Sequence, residues 1–191
     1  MQELLKNPAA QARYGSGAQA LHWLMFALIA AMYFIGMSMA AMEVSPERLR
    51  YFSLHKSIGV TIFVLVGVRL LWRQLHPAPL LPVSMPRWEQ SASRVVHVLL
   101  YLLMAIVPLT GWAASSALGA STAWFGQFRL PDLVSKNREL GEALAEIHYL
   151  CNRALLILIL LHVAAAIKHA LVDRDGVLQR MLPWQRGSRV D

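Results

Sequence analysis

Four long apolar runs dominate the chain: Leu21–Met42, Ser57–Trp72, Val95–Leu118 and Ile147–Ala170. Charged residues gather in the stretches between them, Glu43–Leu54, Arg73–Arg94 and Gly119–Glu146, and at both ends. The first and third runs contain no Asp, Glu, Lys or Arg and reach the ~20 residues that carry a helix across a bilayer. The second is the least uniform, because Arg69 interrupts it near one end. The first run is longer than the apolar segment of a cleavable signal, so it is expected to remain as a span. The pattern predicts helices at about 21–42, 56–74, 94–118 and 145–171. Short connections make neighbouring helices antiparallel. The expected fold is an all-α membrane protein, an up-down four-helix transmembrane bundle forming a single domain over 1–191.

Composition agrees with that class. Hydrophobic residues make up 57% and charged residues 15%, too apolar for an ordinary soluble domain. A net charge of +7 would suit a nucleic-acid binder, but a membrane protein with basic cytoplasmic loops explains it better and no nucleic-acid partner is expected. Lys6, Arg13, Arg73, Arg87, Arg94, Arg174, Arg180, Arg186 and Arg189 fall on the lead, the second connection and the tail. The positive-inside rule therefore puts both termini in the cytoplasm. Cys151 is the sole cysteine, which excludes an intrachain disulfide or a thiolate metal cluster.

Histidines change the picture from a generic bundle to a candidate redox protein. His148 and His162 lie fourteen residues apart in the fourth run, about 40° apart in angle and about 21 Å apart along a helix. His169 follows seven residues later, about 20° further round. Ionisable groups within a span are costly and face the protein interior. Two imidazoles about 21 Å apart cannot share one metal ion, so they suit two large cofactors at two depths, of which haem takes axial histidine. Alternating helix direction brings His22 to the depth of His162 and His55 to the depth of His148. Each level is thus supplied from two helices. Unrelated helix–helix hydrogen bonds would use the same residues.

Arg69 lies fourteen residues after His55, on the same stripe at the inner level. A buried arginine needs an anion, and a haem propionate would serve; snorkelling at a helix end is the alternative. Gly36 lies fourteen residues after His22, and Gly59 one turn after His55; either a flat macrocycle or close helix packing would use them. Pro108 should kink the third helix. Trp124-Phe125-Gly126-Gln127-Phe128 reads as an interfacial segment at the outer face. His76, in a proline-rich stretch, reads as solvated. His97 and His169 lie at the cytoplasmic side, beyond the inner level, and suit a quinone site, because quinone reduction takes up protons and histidine titrates in the right range. Interfacial histidines without a role would look the same.

The ordered set of motifs resembles the bacterial cytochrome b561 family. It comprises Leu21-His22-Trp23-Leu24, His55 with Gly59, Val68-Arg69-Leu70-Leu71, and His97 leading to Tyr101-Leu102-Leu103 and Pro108. It continues through Trp124-Phe125, His148, Leu161-His162 and His169 to Leu178-Gln179-Arg180-Met181-Leu182-Pro183. The resemblance implies a multi-pass protein of the bacterial inner membrane with two b haems, ligated by His22, His55, His148 and His162. It also implies a ubiquinone pocket bordered by His97 and His169, and, in the short stand-alone form, oxidation of superoxide. No single catalytic residue is singled out.

Three functions remain open at this point. One is an oxidoreductase passing electrons from superoxide to ubiquinone. Another is a haem b relay subunit serving a partner dehydrogenase or hydrogenase. The third is a haem-free bundle such as a transporter. These 191 residues hold no further extramembrane domain, which favours the first.

Overall fold

The computed structural model describes residues 13–82 and 84–183. Four helices run α1 Ser16–Ala41, α2 Pro46–Leu75, α3 Arg87–Ala117 and α4 Arg138–Lys168, each long and apolar enough to cross a membrane. A short hairpin, β1 Ala123–Trp124 with β2 Phe128–Arg129, lies between α3 and α4. After α4 come a π-helical turn at His169–Asp173 and a 3-10 turn at Gln179–Met181. Lys6, Arg186 and Arg189, counted above on the basic side, lie outside the described residues.

The helices are longer than the apolar runs that announce them. α2 begins at Pro46, inside the stretch read as a connecting loop. Its start is set by Ser45, whose hydroxyl accepts a hydrogen bond from Arg48 N at 3.2 Å, and by proline in the first turn. Asn137 likewise caps α4, accepting from Leu140 N at 3.0 Å. Hydropathy marks the width of the membrane, whereas capping marks the helix, so polar turns extend α2, α3 and α4 beyond the apolar band. α3 continues as helix through Pro108.

Sequence neighbours pack together in an up-down order. Near the start of α1, His22 meets Arg69 late in α2 and His162 late in α4. At the other end, Gly36 approaches His55 early in α2, and Tyr33 donates to the backbone carbonyl of Asn152 at 2.9 Å. The starts of α1 and α3 therefore share a terminal end with the ends of α2 and α4; the opposite end carries the hairpin. Met25, Ile62 and Val66 form a buried apolar cluster, with Leu28, Ile29, Met32, Leu65 and Met104 against it. Outward positions such as Phe34, Val64, Leu71, Leu102, Ile157 and Leu160 are exposed. So much outward apolar surface on self-satisfied helices is what lipid requires. The chain is a four-helix membrane bundle.

The tail closes the terminal end. Trp23 donates its indole N–H to Met181 O at 2.9 Å, Gln19 donates to Arg180 O at 3.0 Å, and the buried Arg180 donates to Leu80 O at 2.6 Å. Arg13 also donates to the Leu182 carbonyl.

Candidate functional site: two histidine levels

At the hairpin end, the rings of His55 and His148 have centres 6.3 Å apart at an interplanar angle of 75°. At the terminal end, those of His22 and His162 are 6.2 Å apart at 69°. An imidazole nitrogen binds a metal at about 2 Å and the ring centre lies roughly 1 Å behind it, so two rings on opposite sides of one metal have centres about 6 Å apart. Both pairs meet that spacing. The pairs join α1 to α4 and α2 to α4, the helices that the alternation of direction selects.

The His148 ring is held by α3. Its Nδ1–H donates to the Val107 carbonyl at 2.8 Å, with Thr110 Oγ1 at 3.4 Å. That contact leaves the Nε2 lone pair available, the arrangement that orients metal-binding histidines generally. Asn152, one turn along α4, currently donates its amide to this Nε2 at 3.0 Å. Gly111 makes the approach possible, since a Cβ there would lie 2.9 Å from His148 Cε1. Gly36 sits under His55, where a Cβ would meet Cε1 at 3.8 Å, an ordinary contact. The Nδ1 atom of His55 is buried without a hydrogen-bond partner among the described residues.

The terminal level is more crowded. His97 from α3 lies against His162, ring centres 5.2 Å apart at 78°, and its Nδ1 is tied to Ser93 O at 2.7 Å. Arg69 donates to the Tyr101 hydroxyl at 3.0 Å and to His22 Nδ1 at 3.1 Å. Guanidinium only donates, so His22 accepts through Nδ1 here; holding a metal through Nε2 would require this contact to open, which would free Arg69 for an anion. Arg73 also faces the Tyr101 ring, 5.7 Å from its centroid. Two guanidiniums therefore flank this histidine level. His169 lies apart from the cluster, at the end of α4, bonded to Asp175 at 2.7 Å. His97 and His169 are thus at different depths, His97 touching the level itself and His169 at the mouth of the bundle. His76 is exposed and stacks on Trp72 at 4.3 Å.

A family model described as prokaryotic cytochrome b561 matches residues 13–184. The chain belongs to this family. It is 29% identical over 177 residues to "Cytochrome b561 homolog 2" of Escherichia coli strain K12, covering 89% of this chain and 91% of that protein. It is 28% identical over 173 residues to "Cytochrome b561 homolog 1" of the same organism, covering 87% and 94%. To "Probable superoxide oxidase CybB" of Yersinia pestis it is 31% identical over 134 residues, covering 70% and 76%.

A cytochrome b561 of this kind is a bacterial multi-pass inner-membrane protein that transfers electrons and uses haem b. The residues present fit such a group: paired imidazoles at metal-bridging spacing, a buried unpartnered Nδ1 on His55, and guanidiniums at the terminal level that match acidic propionates. Sequence reasoning missed Gly111, Val107 and Asn152. Gly111 lies fourteen residues after His97, a spacing that would have drawn attention to the same face of α3.

The cations at the hairpin end are differently used. Lys56 donates to Ser121 O at 2.9 Å, Arg153 donates to the Tyr149 hydroxyl at 2.8 Å, and Arg138 pairs with Glu142 at 2.7 Å. Arg129 and Lys136 are exposed.

Proposed function

We propose that this cytochrome b561 carries two b haems, one between His22 and His162 and one between His55 and His148, and links superoxide oxidation at the hairpin end to ubiquinone reduction at the terminal end. The observation that carries this reading is the pair of matched histidine spacings, 6.2 and 6.3 Å, at two depths of one bundle. Haem b supplies reversible one-electron chemistry when bound. In net terms, two superoxide ions yield two dioxygen molecules, and one quinone takes the two electrons and two protons to become quinol. Similarity to a relative named as a probable superoxide oxidase supports the choice of donor.

The charge distribution supports an orientation with both termini in the cytoplasm. Arg13, Arg73, Arg87, Arg94, Lys168, Arg174 and Arg180 lie at the terminal end with Glu89, Asp173 and Asp175. At the hairpin end Arg48, Arg50, Lys56, Arg129, Lys136, Arg138 and Arg153 are nearly balanced by Glu43, Glu47, Asp132, Glu139, Glu142 and Glu146, which leaves the terminal end the more positive. The chain's own residues have separable tasks. Val107 and Thr110 orient His148. Arg69 and Arg73 hold positive charge beside the terminal pair, where Arg69 would neutralise a propionate. His97 and His169 border the quinone and exchange its protons.

The test is rapid mixing of the purified, haem-loaded protein with superoxide, with and without ubiquinone. The haem absorption should show reduction by superoxide alone and reoxidation once quinone is added. If superoxide leaves the haems oxidised, the donor assignment fails and a relay subunit fed by a protein partner becomes the better reading.

A further inference from the structure

Five ionisable side chains meet where α4 gives way to its π-helical turn, and the haem levels use none of them. His169 Nδ1 lies 2.7 Å from Asp175 and 3.0 Å from Asp173. Lys168 Nζ bridges Glu89, in the first turn of α3, and Asp173, at 2.8 Å each. The backbone is bent to make this cluster. Arg174 takes a left-handed conformation, φ 52°, and so does Gly176, φ 79°. The reversal folds Asp175 back onto His169, where Val177 N donates to its Oδ1 at 3.0 Å.

Exposure is graded through the cluster. The side chains are 43% exposed at Lys168, 27% at Asp173, 12% at His169 and 8% at Asp175. A divalent cation would find Glu89, His169 and Asp173 close enough to share it. The Lys168 ammonium already bonds both carboxylates, however, and makes a metal redundant. A carboxylate on Nδ1 of an otherwise enclosed histidine, reachable from water through a second carboxylate, instead has the layout of a proton-transfer dyad, in which one nitrogen is held and the other faces the reacting group.

We propose that His169, Asp175 and Asp173 form the proton inlet of the quinone-reducing end. This rests on the quinone reading above and specifies how that site obtains its protons. Asp173 exchanges protons with water. Asp175 holds the His169 ring through Nδ1. His169 gives a proton from Nε2 to a quinone oxygen and regains one from the water-facing side. Two such transfers, with two electrons originating in superoxide, convert quinone to quinol. The Lys168–Glu89 pair ties α3 to α4 and keeps the mouth in place. Asp175 is a positioning residue, acting through His169.

The experiment follows reoxidation of the superoxide-reduced, haem-loaded protein by ubiquinone, in water and in deuterium oxide. Asp175→Asn preserves the acceptor for Val177 N. It should keep the b-type spectrum and the reduction phase, yet slow reoxidation by about tenfold or more and enlarge the solvent isotope effect. Small weak acids such as formic acid should restore part of the rate, and Asp175→Glu should restore more. Asp173→Asn, on the wetter side, should show the same pattern more weakly. Reoxidation of Asp175→Asn at the wild-type rate overturns the inlet. So does a slowed rate with neither an isotope effect nor rescue by weak acids. If quinone fails to reoxidise the wild-type protein, the parent quinone reading is what fails.

Discussion

At the residue scale, the site turns on which imidazole faces which. Counting fourteen residues along one helix and alternating the direction of the others was enough to pair His22 with His162 and His55 with His148, because helical geometry is rigid and the membrane fixes depth. What counting along single helices did not reveal is lateral. Gly111, the Val107 carbonyl and Asn152 matter through where α3 meets α4; only Gly111 carries a mark in its own stretch, the fourteen-residue spacing from His97. Replacing His55 or His148 by alanine should remove or alter the hairpin-end haem alone, and His22→Ala or His162→Ala the terminal one. Redox titration of the absorption spectrum reads this, and loss of the same haem in His55→Ala and His162→Ala would refute the pairing. Gly111→Ala should behave like a mild His148 variant, because its methyl would lie 2.9 Å from the ring; unchanged haem occupancy and spectrum would refute that contact's role. Arg69→Leu removes positive charge beside the terminal pair. It should lower that haem's potential, measured against the hairpin-end haem as internal control.

At the scale of elements, four helices were legible because lipid demands long apolar runs, but their ends were not. Ser45-Pro46 and Asn137 are ordinary capping signals that a hydropathy window overlooks. The hairpin was read only as an aromatic interfacial segment. Its turn depends on two consecutive left-handed residues, Phe125 at φ 48° and Gly126 at φ 73°, with Gln127 N donating to Trp124 O at 3.0 Å. Phenylalanine is costly in that region, and α2 offsets the cost. Ser57, almost fully buried, accepts from Phe125 N at 2.9 Å, and Thr61 Oγ1 accepts from the Trp124 indole at 3.0 Å. Ser57→Ala leaves a backbone donor unpaired, worth about 1–3 kcal/mol. It should speed amide exchange at Phe125 and proteolysis of the hairpin while the haem spectrum stays intact. Unaltered exchange would mean the hairpin is held by other contacts.

At the scale of the whole molecule, the proposed function gives the two ends different chemistry. Superoxide is a small anion, so its capture gains from positive potential and loses when salt screens it. The hairpin end is mixed. Arg129 and Lys136 are exposed, whereas Lys56, Arg153 and Arg138 are engaged by loop carbonyls, Tyr149 and Glu142. Acids on α4 moderate the field further. The steering should therefore be modest, with Arg129 and Lys136 contributing beside Arg50, which is exposed at the start of α2. On the proposed function the other substrate, ubiquinone, is neutral and would reach the opposite end through lipid, so screening should hardly affect it. Raising salt from low to well above physiological strength, where the screening length falls from about 30 Å to about 3 Å, should slow haem reduction by superoxide and leave reoxidation by quinone nearly constant. Reversing both charges, Arg129→Glu with Lys136→Glu, should slow reduction at low salt and flatten or invert its salt dependence, again without changing the quinone phase. Equal salt dependence of both phases, or a double variant reduced at the wild-type rate with the wild-type slope, would move superoxide entry away from the hairpin end.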